Sequence, residues 1–86
     1  MISTIDEMTP RIRSVLAQHA RLTGNLALLP DSADLYQAGM SSHASVNVML
    51  ALEGAFDVEF PDHMLTRSVF SSIAAIRSAL VELVAA

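Results

Sequence analysis

Apolar residues recur at three- and four-residue steps in three separate stretches of the chain, and that spacing commits it to packed helices. In the first stretch Ile5, Met8, Ile12, Val15, Leu16 and Leu22, with His19, share one helix face. The second runs from Ser41 or Ser42 to Ala55 or Phe56. On a helical wheel its Ala44, Val48, Met49, Ala51, Leu52, Ala55 and Phe56 fall on one arc. The third begins near Ser71 or Ser72 and aligns Ile73, Ile76, Leu80, Leu83 and Val84. The chain is 52% apolar but only 5% aromatic, which favours aliphatic helix packing over a β-sandwich and excludes a disordered chain. Its 86 residues suffice for one compact core and no more, so a single domain over residues 1–86 is expected. The predicted fold is all-α: a bundle of three main helices, one or two short helical turns and a long first loop.

Breakers divide these stretches. Pro10 fits the first position of a helix, where its missing N–H costs nothing. This predicts a short or kinked turn from about Ser3, then a main helix over about residues 10–21 with Thr9 as cap. Residues 23–34 contain Gly24, Asn25, Pro30, Asp31 and Ser32, yet also Leu26, Leu28 and Leu29, so this loop is expected to lie across the core. Residues 34–38 read as one short turn stopped by Gly39. Pro61 keeps the residue before it out of helical space, which makes residues 57–61 extended. Asp62 to Leu65 read as a brief helical turn.

Charge and cysteine content remove several function classes. Five basic against nine acidic residues give a net charge of −4, a poor match for a nucleic-acid backbone or an anionic membrane. With no cysteine there is no disulfide framework, thiolate-bound metal or cysteine nucleophile. The longest apolar run, residues 48–52, is far short of the ~20 residues that span a bilayer. Residues 1–7 show neither a basic leader nor an apolar segment, so a cytoplasmic protein, monomeric and without membrane or nucleic-acid partners, is expected.

The second helix carries a further signal. Opposite its apolar arc lie Ser42, His43, Val46, Asn47, Leu50 and Glu53, and Val46 and Leu50 stand one and two turns above Ser42. Two apolar residues on a polar face, in line with a serine at the helix start, suggest a partner-docking stripe; isolated surface hydrophobes are the plainer reading. A helix N-terminus offers unpaired N–H groups and partial positive charge, which suit a phosphate carried on that serine. An ordinary helix cap is the plainer reading of Ser42 taken alone. Gly39 allows a sharp turn just before it, and Met40 can anchor that turn.

The series Asp34-Leu35-x-x-x-Gly39-Met40-x-Ser42, then Val46, Leu52-Glu53, Phe56 and Val58-Glu59-Phe60-Pro61-Asp62, resembles the acyl and peptidyl carrier protein family. The match runs without gaps from Asp34 to Asp62. Two positions depart from the family pattern: Ser41 replaces the usual Asp before the serine, and His43 the usual Leu after it. The second helix is also poor in acid, with Ala44 and Asn47 where many fatty-acid carriers have carboxylates. Gly39-Met40-Ser41-Ser42-His43-Ala44-Ser45-Val46-Asn47-Val48 and Arg67-Ser68-Val69-Phe70 are similar to a smaller group, the free-standing bacterial aminoacyl carrier proteins.

The resemblance implies a non-catalytic carrier with a four-helix bundle fold and a 4′-phosphopantetheine arm on Ser42. A phosphopantetheinyl transferase using Mg²⁺ would attach the arm, whose thiol the chain itself lacks. A stand-alone amino acid:carrier protein ligase would load it, and a downstream acyltransferase or synthase would unload it. Candidate partner residues are Met40, Ser41, His43, Val46, Leu50 and Glu53, joined by Met64 and Arg67; Met64 and Leu65 are also placed to border the arm. A fatty-acyl or polyketide carrier, or an unmodified interaction module using the same stripe, is the alternative. A serine hydrolase is disfavoured, because the neighbours Ser42 and His43 point about 100° apart on a helix. His19, His43 and His63 share no metal-ligand spacing.

Overall fold

The computed structural model describes residues 4–85, with side chains for residues 8–84. Three α-helices, α1 (Thr4–His19), α2 (Ser42–Phe56) and α3 (Ile73–Ala85), are joined by segments containing 3-10 turns at Leu26–Leu28 and Asp62–Met64. The all-α architecture with a long first connection is the one expected. Among the described residues there is no fourth α-helix: Asp62–Met64 and the turns after it occupy that stretch of the chain.

Helix α1 does not begin at Pro10 but runs through it. Pro10 is exposed, while Met8 and Ile12 on either side of it are buried at 1% and 0% exposure. Full burial of Met8 returns roughly 1.5–3 kcal/mol, comparable with the ~3 kcal/mol a proline costs inside a helix. The defect therefore sits on the solvent side of a stripe that stays continuous. Thr9, expected as the cap, lies inside α1, and the expected start of the turn at about Ser3 lies outside the described residues, as does the side chain of Ile5. At the other end α1 stops at His19, because Arg21 turns left-handed at φ 55°. Ala20, rather than His19, completes the buried face.

The core draws Met8, Ile12, Val15, Leu16 and Ala20 from α1, Ala44, Val48 and Leu52 from α2, and Ile73, Ile76, Ala79 and Leu80 from α3. Val84, expected on the apolar face of α3, is 45% exposed. Helix α1 packs against both partners, whereas α2 and α3 approach each other much less. The segment between those two supplies Phe60, Met64 and Phe70 to the core instead, with the two phenylalanine rings edge to face at 5.3 Å. Ser72 caps α3, its Oγ accepting the Ala75 N–H at 3.0 Å.

Arginines fasten the connections to the helices. Arg13 donates to the carbonyls of Leu26 (3.0 Å) and Leu29 (2.8 Å) and pairs with Asp31 at 2.8 Å. Arg77 of α3 pairs with the other Asp31 oxygen at 2.8 Å and also donates to Thr9. Arg11 donates to the Ala55 carbonyl at 2.7 Å and lies over the Phe56 ring, closing the end of α2. Leu26 and Leu29 pack on the core as expected, but Leu28 is 80% exposed.

Hydrogen bonds from Arg77 and then Arg13 hold the Asp31 carboxyl below its ordinary pKa. A depressed folded-state value means that the ionised group stabilises the fold above the ordinary aspartate pKa. That stabilisation is lost as pH falls through the folded value. Asp31→Asn is expected to lower stability at pH 7 by about 1 kcal/mol, solvent screening keeping the figure small. Thermal melts across pH check the sign: the gap between wild type and variant should close below the ordinary aspartate range.

Candidate functional site

The chain enters α2 through a turn fixed at several points. Asp34 accepts the N–H groups of Tyr36 and Gln37 through Oδ1 and that of Ala38 through its carbonyl. Met40 N–H then reaches back to the Leu35 carbonyl at 3.0 Å, and both side chains are buried. Gly39 sits at φ 117°, and a Cβ there would lie 3.0 Å from Thr23 Cγ2. Only glycine takes this position without strain.

The two serines that follow have different surroundings. Ser41 is the N-cap: its Oγ accepts the Ala44 N–H at 3.0 Å from an extended backbone. Ser42 is the first helical residue, exposed, and its hydroxyl makes no hydrogen bond among the described residues. Its carbonyl accepts the Ser45 hydroxyl at 2.7 Å. The N–H groups of a first helical turn lack intrahelical acceptors and carry partial positive charge. A free hydroxyl thus stands where a phosphodiester would be favoured.

Beside Ser42 opens a cleft of about 450 Å³, lined by Tyr36, Ser45, Val46, Met49, Leu65, Thr66, Arg67 and Phe70. Its walls come from the turn before α2, the outer face of α2 and the segment leading to α3. Arg67 lies over the Tyr36 ring at 3.8 Å, a stacked cation on the wall. Val46 and Leu50 are 50% and 55% exposed, so the stripe along α2 lies open.

Three residues expected on the partner face are engaged within the fold. Met40 and Met64 are buried at 3% and 6% exposure, drawn in because a thioether fills core gaps better than it faces water. Glu53 is held within the fold: its Oε2 accepts the Phe60 N–H at 2.9 Å, and its carbonyl accepts the N–H groups of Asp57 and Val58. His43 is exposed and outside the cleft. Leu65, expected to border the arm, lines the cleft, whereas the neighbouring Met64 does not. Sequence reasoning missed Tyr36, Ser45, Met49, Thr66 and Phe70 as wall residues. For Tyr36 the available signal is its place in the Asp34-Leu35 turn just before the serine.

No protein-family profile matches the chain. The aminoacyl carrier protein of Agrobacterium fabrum strain C58 is 51% identical over 69 residues, covering 80% of this chain and 83% of that protein. A carrier protein from Agrobacterium tumefaciens, crystallised with an engineered Bradyrhizobium japonicum glycine:[carrier protein] ligase and ATP, superposes with a TM-score of 0.86. It is 46% identical, and the match covers 88% of this chain and 99% of that one. A solution structure from Agrobacterium tumefaciens matches at TM-score 0.71 and 44% identity, over 90% and 93% of the two chains. Identity of this extent, over a shared helical fold, means that the chain belongs to the aminoacyl carrier protein family.

Proposed function

We propose that Ser42 bears a 4′-phosphopantetheine arm and that a stand-alone amino acid:carrier protein ligase loads an amino acid onto it. The observation that carries this reading is the division between the adjacent serines. Ser41 caps α2, and Ser42 stands exposed beside a largely apolar cleft, its hydroxyl unbonded among the described residues. The residues present fit the group: a reachable hydroxyl, a helix start suited to a phosphodiester, and one cation on the cleft wall. When bound, the arm supplies a thiol that holds the cargo as a thioester.

Attachment asks little of the chain beyond presentation. Ser42 Oγ attacks the phosphoanhydride of coenzyme A and forms an oxygen–phosphorus bond. The bond to the 3′-phosphoadenosine monophosphate leaving group breaks, and the hydroxyl proton passes to a base of the transferase. The transferase also brings Mg²⁺. The chain is a substrate throughout, acting as one domain that a ligase and then an acyltransferase or synthase dock in turn. Tethering raises the local concentration of cargo at whichever enzyme is docked.

Intact mass tests the reading. After incubation with coenzyme A, Mg²⁺ and a broad-specificity transferase, the protein should gain one phosphopantetheine. With ligase, ATP and amino acid it should then gain one aminoacyl group. An unchanged mass in a folded protein would favour an unmodified interaction module, and a fatty-acyl or polyketide group on native material would overturn the cargo.

Docking on α2 makes a separate prediction. Val46→Asp and Leu50→Asp each put charge on an open apolar stripe without touching the core. Each is expected to lower ligase kcat/KM roughly tenfold or more, the scale of a docking hot spot, with an unchanged thermal midpoint. Steady-state loading kinetics with a melt of each variant provide the check.

A further inference from the structure

Three of the five basic side chains, all of them arginine, are committed within the fold: Arg11 to the end of α2, and Arg13 and Arg77 to Asp31. Arg67 differs. Its guanidinium stacks on Tyr36 at 3.8 Å and donates no hydrogen bond among the described residues. Stacking engages the face of a guanidinium, while its N–H donors lie in the plane and point outward from the edge. The ring thus holds the cation in place and leaves its donors free.

Position narrows what those donors meet. Arg67 and Ser42 line the same cleft, and Arg67 is the single cationic side chain among its lining residues, which include no carboxylate. Glu53, the one acid of α2, is turned to the Phe60 N–H. An anion fixed at Ser42 would therefore face one cation and no opposing acid within this cleft. Planar guanidinium donors match phosphate oxygens in geometry as well as in charge.

We propose that Arg67, stacked on Tyr36, is an intramolecular phosphodiester site. It binds the phosphate of the arm on Ser42 and turns the arm into the cleft toward Leu65 and Phe70. This rests on the reading that Ser42 is modified. Arg67 is then a positioning residue for the arm, while the enzymes meet the α2 stripe of Leu50 and Val46, the latter also on the cleft wall. Parked in this way, the arm keeps its terminal thiol against apolar walls until docking draws it out.

The test uses holo-protein made from coenzyme A and transferase, verified by mass, alongside apo-protein and holo Arg67→Gln and Tyr36→Ala variants. In the wild type, the Arg67 Nε–H and Tyr36 ring resonances should shift between apo and holo forms. Nuclear Overhauser contacts should link the arm to the Tyr36 ring. Alkylation of the terminal thiol by iodoacetamide should run about two- to fivefold faster in either variant, the range for a solvent-screened charged contact. Equal alkylation rates, or Arg67 and Tyr36 resonances indifferent to the arm, would overturn the site while leaving modification of Ser42 standing. A protein that gains no mass removes both.

Discussion

Ser42→Ala is expected to abolish phosphopantetheine attachment completely while leaving the thermal midpoint almost unchanged. The Ser42 hydroxyl has no partner among the described residues, and alanine is a good helix former at an exposed first-turn position. Ser41→Ala should do the reverse. Modification should proceed, but loss of the bond to the Ala44 N–H costs about 1 kcal/mol, the usual worth of a serine cap. For a domain of this size that is a fall of roughly 4–8 °C. Mass spectrometry and circular dichroism on the two variants together form the decisive comparison. If modification were lost in Ser41→Ala and retained in Ser42→Ala, the assignment would move to the neighbouring hydroxyl.

The largest loss of stability is expected from Ile12→Ala. Ile12 is fully buried on α1, the helix that packs against both others. Truncation at so completely buried a site leaves a cavity in the core, so a cost of about 3–4 kcal/mol is expected. A chain of this length has a total stability of only ~4–13 kcal/mol, and the melt should fall by roughly 15 °C or more. Leu28→Ala supplies the contrast: Leu28 is 80% exposed, and its truncation should move the midpoint by no more than a degree or two. Similar effects from the two variants would contradict the burial on which the packing account depends.

Periodicity made the three helices legible, because an apolar stripe at helical spacing has few other uses. It also explains why Pro10 misleads. A local rule places proline at a helix start, while the stripe from Met8 to Ile12 continues past it and prevails. The division between Ser41 and Ser42 was not legible, since both can cap. Backbone direction at the turn decides which one does, and that direction depends on Gly39 and the buried Met40. Arg13, Asp31 and Arg77 lie far apart in sequence and meet only after the helices pack, so no motif announces their pairing. The same holds for Arg67 over Tyr36. Glu53 was legible as part of a motif, but its bond to the Phe60 N–H appears only in three dimensions.

Ser42 stands between two side chains sunk in the core, Met40 two residues before it and Ala44 two residues after, each 3% exposed. The backbone at the pivot is therefore anchored on both sides: the freedom of an attached chain begins at the Ser42 side chain and not in the polypeptide. An enzyme that receives this protein need immobilise only what hangs from the pivot. It is spared the ~1–2 kcal/mol per residue that ordering a slack loop would add. Successive enzymes could then measure the same reach from the same fixed origin.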